Sequence, residues 1–254
     1  MTASAQRARR FPWVLTMLSA MLLAALLSLG VWQVQRLAWK RGLIDQAAAA
    51  ADLAPVPADQ VLNRPGGEFR RVILDCPGLA TAPYVELQSI HERAAGVRLI
   101  SACRPQGVRT TVLVDRGFVA ETVSARPPVA PQDMTPARVI ATVRAASSPN
   151  WMTPPPQGGR FFARDHAAMA RALGIERAVD PRVLFAETSA DPQFTALVPA
   201  VPPAAFSDNH LGYAATWFGL AIALIVFYGL LLKRRMTPRP LPRPGGARTD
   251  PEPD

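Results

Sequence analysis

The chain has three histidines, His91, His166 and His210, as candidates for metal binding or acid–base chemistry. No serine–histidine–aspartate arrangement, HExxH helix, phosphate-binding loop or glycine-rich dinucleotide turn accompanies them. His91 stands in a charged turn, and His166 follows Asp165, a residue type typical of a helix N-cap, so both imidazoles are expected on the surface. Because no nucleophile–base pair can be identified, the chain is not predicted to be an enzyme.

His210 differs from the other two histidines because it directly precedes a long apolar run. An imidazole where water meets lipid can bind iron through one nitrogen while a neighbour such as Asp208 or Asn209 orients the other. Tyr213 and Trp217 follow at helical spacing, so the three rings share one face that could flank a flat macrocycle. The alternative is an interfacial belt that only anchors the helix at headgroup level, and the residues alone favour this belt.

Two cysteines, Cys76 and Cys103, lie in the middle of the chain. An oxidising compartment would allow a disulfide between them, and two buried free thiols are equally compatible with the sequence. Neither a CxxC spacing nor a cluster of other metal ligands accompanies them. Both alternatives stay open at the level of sequence.

Two long segments carry no charged residue, Phe11–Gln35 and Leu211–Leu232. At about 1.5 Å per residue, each reaches across the hydrocarbon core of a bilayer as a helix. Buried core helices are a weaker alternative, because uncharged runs of this length are typical of membrane spans. A cleaved signal peptide would use the small residues Ala47–Ala51, but three basic residues stand between them and the first run, which favours an uncleaved anchor.

The net charge of +9 is concentrated at the two ends of the chain. Basic residues beside apolar helices determine topology and bind anionic headgroups, so this charge does not indicate a nucleic-acid partner. Lys233, Arg234 and Arg235 follow the second run, which places its end in the cytoplasm. With two spans, both termini are expected to be cytoplasmic and the middle of the chain external, in the periplasm of a bacterium or the intermembrane space of a mitochondrion.

The middle of the chain predicts an α+β domain dominated by strands. Short β-branched runs are separated by turn residues, and the first four read as an antiparallel meander with the ends of strands one and three at the same edge. A short helix is expected between Asp165 and Gly174. The predicted strands are Arg70–Asp75, Tyr84–Ser89, Val97–Cys103, Thr110–Asp115, Val139–Ala145 and Arg182–Glu187.

The predicted fold class is a membrane protein in which two transmembrane helices flank an external, mainly-β (α+β) domain. The juxtamembrane segment up to Ala51 is expected to extend the first helix, and prolines among arginines predict a disordered C-terminal tail. The predicted divisions are a cytoplasmic tail (1–10), a first span (11–35), the external domain (36–210), a second span (211–232) and a cytoplasmic tail (233–254).

Three segments resemble the Surfeit-locus (Surf/Shy) family of cytochrome c oxidase assembly factors and stand in the family's order. They are Gly30–Lys40 (GVWQVQRLAWK), Leu113–Val119 (LVDRGFV) and 209–220 (NHLGYAATWFGL). The segment Arg160–Asp165 (RFFARD) is similar to a further family segment. The resemblance covers the whole chain between its two tails.

This resemblance implies a part in building the haem–copper oxidase, in which the protein supplies haem a to the catalytic subunit. His210 matches the histidine that is the family's proposed haem-iron ligand, and Tyr213 and Trp217 are its flanking residues by their helical spacing. Apart from the resemblance, the position of Arg36 and Lys40 at the outer end of the first helix suits either residue to neutralise the propionates of a bound haem. The expected partners are the oxidase catalytic subunit, the enzymes of haem a synthesis and the lipid bilayer. The alternative is a membrane chaperone that holds the nascent subunit while another protein supplies haem.

Overall fold

The computed structural model describes residues 11–146, 149–203 and 209–237. Asp208 and most of both charged tails, for which roles are predicted above, lie outside these residues. The chain divides into two compact units, one of residues 41–206 and one of residues 1–40 with 207–254. The helices are α1 (Trp13–Ala51), α2 (Ala58–Leu62), α3 (His166–Ala172) and α4 (His210–Met236).

Helices α1 and α4 are long and apolar enough to cross a membrane. Of their most apolar stretches, only 11% and 6% of the residues are buried, unlike the core helices of a soluble protein. Helix α1 continues beyond the uncharged run to Ala51, as the predicted juxtamembrane extension requires. The predicted fold class is confirmed: two candidate membrane helices flank a mixed β-sheet domain.

The domain is built on one eight-stranded sheet in the order β1-β2-β6-β8-β5-β4-β3-β7. Strands β3, β4 and β5 form an antiparallel meander, while β8 lies parallel to β5 and antiparallel to β6. All six predicted strands are present, as β2–β6 and β8. The strands are β1 (Val56–Pro57), β2 (Arg71–Asp75), β3 (Tyr84–His91), β4 (Ala94–Cys103), β5 (Thr111–Ala120), β6 (Arg138–Ala145), β7 (Arg160–Phe161) and β8 (Val179–Ala186).

The prediction that β2 opens the meander is wrong. Strand β2 pairs with β6 and with the short β1, and not with β3. The alternating apolar pattern of a strand defines which face is buried, but it carries no information on which neighbour the strand selects. The short elements β1, α2 and β7 were not predicted, because two to five residues give no periodic signal.

Cys76 and Cys103 form a disulfide, with their Cα atoms 5.9 Å apart. Cys76 directly follows β2, and Cys103 is the last residue of β4. Three strands lie between β2 and β4 in the sheet: β6, β8 and β5. At about 4.8 Å per strand, four steps across a flat sheet would separate these strands by about 19 Å. The sheet must therefore curl strongly, so the disulfide joins strands that are distant in pairing order.

The two faces of the sheet bury separate apolar clusters. Alternate residues of β5 belong to different clusters, with Val112 and Val114 on one face and Leu113 on the other, as the period of a strand requires. Helix α3 covers the second face through Met169. Its predicted N-cap is confirmed, since the Asp165 carboxylate accepts a hydrogen bond from the Ala168 amide at 2.9 Å.

Candidate functional site

His210 is the first residue of α4, and its imidazole contacts α1. The Nδ1 atom of His210 lies 2.6 Å from Oε1 of Gln33, which is only 9% exposed. The indole ring of Trp32 lies beside the same imidazole, with centroids 6.3 Å apart and planes at 78°. Two successive residues of α1 therefore hold the His210 ring, one by a hydrogen bond and one by ring packing.

The packing of α1 against α4 explains why Gln33 and His210 meet. Gly30 lies against the ring of Phe218 so closely that a Cβ atom there would come within 2.8 Å of the ring. Ala214 and Ala221 of α4 are buried, 3% and 2% exposed. Small residues allow helix backbones to approach closely in a membrane, where lipid gives no hydrophobic drive to helix association. The two helices are thus in close contact at Gly30 and Phe218.

A second polar contact joins the two helices about 17 residues along α1 from Gln33. The hydroxyl of Tyr228 lies 2.5 Å from Oγ1 of Thr16. Because Thr16 pairs with Tyr228 and Gln33 pairs with His210, the helices run antiparallel with one register. Hydrogen bonds between membrane helices have few competing partners in lipid, so these two contacts specify the register at both ends of the packed stretch.

The contact with Gln33 engages one ring nitrogen of His210, Nδ1. An amide oxygen only accepts hydrogen bonds, so the Nδ1–H group donates to Gln33 Oε1. A neutral imidazole protonated at Nδ1 has its lone pair on Nε2, the atom that would ligate a metal. Such a partner fixes the tautomer and the ring orientation of a ligating histidine. The donor set therefore suits a haem with one axial imidazole.

Gln33 carries no role in the sequence-based prediction, which considered Asp208 and Asn209 as the partners that orient His210. A signal was nevertheless present. Gln33 is an amide inside an uncharged run long enough to span a bilayer, and polar side chains at that depth are functional candidates by default. Gln33 also belongs to the first of the three family-like segments, Gly30–Lys40.

Tyr213 and Trp217 lie on α4 one and two turns beyond His210. Tyr213 is 57% exposed, and Trp217 is half-buried. The ring contact that the structure gives His210 comes from Trp32 of α1, so Tyr213 and Trp217 stay predicted flanking residues of a bound macrocycle. Arg36, a predicted propionate partner, stacks its guanidinium 4.0 Å from the centroid of Trp39 on α1.

The segment Leu113–Val119 builds a buried ionic cluster in the domain. Asp115 is fully buried and accepts from Nε of Arg98 at 2.5 Å and from Nη2 of Arg164 at 3.2 Å. Both guanidinium groups also lie over the ring of Phe185. Burial lowers the pKa of the Arg164 guanidinium, and the charge of Asp115 opposes this shift. Asp115 thus joins β4, β5 and the loop before α3 in the interior.

The neighbouring Arg116 is also fully buried, and it holds a loop by hydrogen bonds. Its guanidinium donates to the carbonyl groups of Ala80 and Ala82. Burial lowers the pKa of Arg116, while the negative charge of Asp191 acts in the opposite direction. The segment RFFARD serves the fold in the same way: Phe161 enters the core, Arg164 binds Asp115, and Asp165 caps α3.

The other two histidines have no comparable environment. His91 is half-buried at the end of β3 and packs on Phe118, with ring centroids 5.4 Å apart. His166 is half-buried at the start of α3, and burial lowers its pKa. Within residues 11–146, 149–203 and 209–237, no group of three or more His, Cys, Asp or Glu residues could hold a metal ion. A single imidazole remains the candidate metal ligand.

Comparison with known proteins identifies the family. The model of the SURF1 family matches residues 20–222, which include the helix contact and the domain. The chain is 26% identical to the SURF1-like protein of Drosophila melanogaster, over 83% of this chain and 75% of that one. It is 29% identical to Surfeit locus protein 1 of Homo sapiens, over 77% of this chain and 70% of the human protein.

A shorter stretch is more similar to a bacterial protein. Over 40 residues, 16% of this chain and 17% of the other, it is 52% identical to the SURF1-like protein of Rickettsia conorii. The family match covers both candidate membrane helices in part and the whole sheet between them. The chain therefore belongs to the SURF1 family.

Proposed function

We propose that this protein is an assembly factor for haem–copper cytochrome c oxidase that binds haem a and passes it to the catalytic subunit. Membership of the SURF1 family supports the role in oxidase assembly at the level of the family. The haem role goes further and rests on the site built by α1 and α4. In this proposal the protein is a carrier and not an enzyme.

The single observation that carries the haem proposal is the 2.6 Å contact between His210 Nδ1 and Gln33 Oε1. A polar pair of this kind inside apolar helices is costly to bury unless it is satisfied, so each group stabilises the other. With Nδ1 directed at Gln33, Nε2 is the nitrogen that would ligate iron, because haem iron accepts an imidazole as its axial ligand. An interfacial belt of aromatic residues would not need a buried glutamine to orient one ring.

The exposed side of the helix pair is where the macrocycle would lie. The close contact of Gly30 with Phe218 closes the interface between the helices at that level. Tyr213 and Trp217 offer ring surfaces on α4, and Arg36 and Lys40 offer charge for the propionates on α1. One axial imidazole with an open second side gives binding that is specific but reversible, which transfer to another protein requires.

The proposed location is the bacterial inner membrane, with both termini in the cytoplasm and residues 41–206 in the periplasm. The last turn of α4 carries Lys233, Arg234 and Arg235, and such basic residues favour the cytoplasmic side. The disulfide between Cys76 and Cys103 supports an oxidising compartment for the domain. The enzymes of haem a synthesis and the oxidase catalytic subunit are the proposed partners.

The direct test is the absorption spectrum of the detergent-solubilised wild-type protein, purified from cells that make haem a. Haem a bands in near-stoichiometric amount are expected. A haem-free preparation that still co-purifies the oxidase catalytic subunit would overturn the carrier role. That result would indicate instead that the protein is a membrane chaperone, which holds the nascent subunit while another protein supplies haem.

A further inference from the structure

The loop between β6 and β7 exposes two large apolar side chains. Trp151 is 92% exposed, the highest value for any large apolar side chain among the described residues, and Met152 is 66% exposed. Single exposed apolar residues are common on protein surfaces. A tryptophan and a methionine side by side at a loop tip are different, because both expose large apolar area at one point.

The backbone holds this tip in a defined shape. The amide of Met152 donates to Oδ1 of Asn150 at 2.9 Å, and the amide of Asn150 donates to Oγ1 of Thr153 at 3.0 Å. The amide of Thr153 also donates to the Asn150 carbonyl at 3.0 Å. Three prolines follow directly and restrict the backbone further. The turn Asn150–Thr153, called the Trp151 turn below, is therefore ordered by its own hydrogen bonds while its apolar side chains stay in water.

The charge pattern indicates what this turn binds. No ionisable residue occurs from Ala145 to Gly159, so the turn can enter the headgroup layer without desolvating a charge. Tryptophan concentrates at the membrane–water interface, where its apolar ring and its polar N–H group are both satisfied. A lipid surface is available to the turn, because two candidate membrane helices flank the domain and would anchor it at a bilayer.

We propose that the Trp151 turn is a third, interfacial attachment to the membrane, in which Trp151 and Met152 insert into the headgroup region. Tethering by the two helices raises the effective concentration of the bilayer at the turn, so even weak insertion is populated. The insertion does not depend on haem binding by His210.

The test uses the full-length protein reconstituted in lipid vesicles, with a fluorophore on Met152→Cys, which keeps Trp151. The two native cysteines are bridged, so the introduced thiol is the one that reacts. We expect lipids that carry a nitroxide near the headgroup to quench the fluorophore at position 152. We also expect the bilayer to protect this fluorophore from quenching by aqueous iodide. Adding Trp151→Ser should abolish both effects. Ile90→Cys, exposed to 75% in a charged hairpin, supplies the aqueous reference.

Iodide quenching of the label at position 152 equal to that at position 90, without lipid quenching, would overturn the proposal. If protection from iodide appeared only after the oxidase catalytic subunit was added, the turn would be a protein-docking element and the lipid assignment would be wrong. The quenching measurement is repeated on vesicles with and without haem. Because the proposed insertion does not depend on haem, lipid quenching should be the same in both, and the two proposals are therefore tested separately.

Discussion

Gln33 and His210 stand 177 positions apart in the chain, yet their side chains meet at 2.6 Å, one from each candidate membrane helix. A hydrogen bond of this kind does two things at once. It fixes the register of α1 on α4, together with the contact between Thr16 and Tyr228 at 2.5 Å. It also presets the imidazole tautomer, so the fold of the helix pair and its proposed ligand chemistry depend on the same two residues.

The first prediction concerns Gln33. Gln33→Leu removes the acceptor for Nδ1–H and should weaken haem binding roughly 10- to 100-fold, the usual effect of losing a partner that orients a metal ligand. Gln33→Glu keeps an acceptor and should recover most of the affinity. Absorbance titration of the haem-free protein in detergent measures the dissociation constants. Gln35→Leu, on the exposed side of α1, is the matched control. Wild-type affinity in Gln33→Leu would remove Gln33 from the site.

The second prediction concerns Asp115. Asp115→Asn leaves Arg98 and Arg164 without their buried counter-charge and should lower the free energy of unfolding by about 3–5 kcal/mol. Denaturant unfolding of the purified protein, followed by fluorescence or circular dichroism, measures this loss. Asp75→Asn is the control, because its partner Arg138 has a side chain exposed to 73%. Equal effects of the two substitutions would show that burial of the Asp115 cluster contributes nothing.

A third prediction concerns the disulfide between Cys76 and Cys103. The bridge closes a loop with a sequence separation of 27 residues, so Cys76→Ser with Cys103→Ser should lower the free energy of unfolding by about 3–4 kcal/mol through loop entropy. Reductant should shift the denaturation midpoint of the wild type and leave that of the double variant unchanged. If reductant shifted the denaturation midpoint by the same amount in both proteins, the Cys76–Cys103 disulfide would not be the source of the stabilisation.

The fourth prediction concerns acid sensitivity through Asp180. Burial alone would raise the pKa of this carboxyl, but hydrogen bonds and charge from Arg182, at 2.7–2.8 Å, bring the pKa below its usual 3.8. A depressed pKa in the folded state means that the unfolded chain binds the proton more tightly. The stabilisation is therefore complete above pH about 5 and is lost as the pH falls through and below 4.

The measurement for Asp180 is the free energy of unfolding between pH 7 and pH 3. Asp180→Asn should lower stability at pH 7 and flatten its decline at acid pH, because the variant no longer takes up this proton. Asp52→Asn, at an exposed position directly after α1, is the comparison. If the free energy of unfolding fell in parallel with pH for wild type and Asp180→Asn, the lowered pKa of Asp180 would be contradicted.

The sequence predicts most elements because each leaves a local signal. Uncharged runs locate α1 and α4, alternation locates the strands, and Asp165 with Gly174 delimits α3. The partners of β2 could not be predicted, because the alternating pattern within Arg71–Asp75 defines the buried face of the strand and not which strand lies beside it. The contact of Gln33 was not predicted because its partner lies at the other end of the chain. His210 was singled out because it marks a boundary between polar and apolar sequence.

The central claim is that His210 is the haem ligand, and haem content after substitution tests it most directly. His210→Ala and His166→Ala are purified from cells making haem a, and the haem bands are measured per protein. Loss of haem in His210→Ala, with wild-type content and helicity kept in His166→Ala, is the expected result. Full haem in His210→Ala would contradict the account.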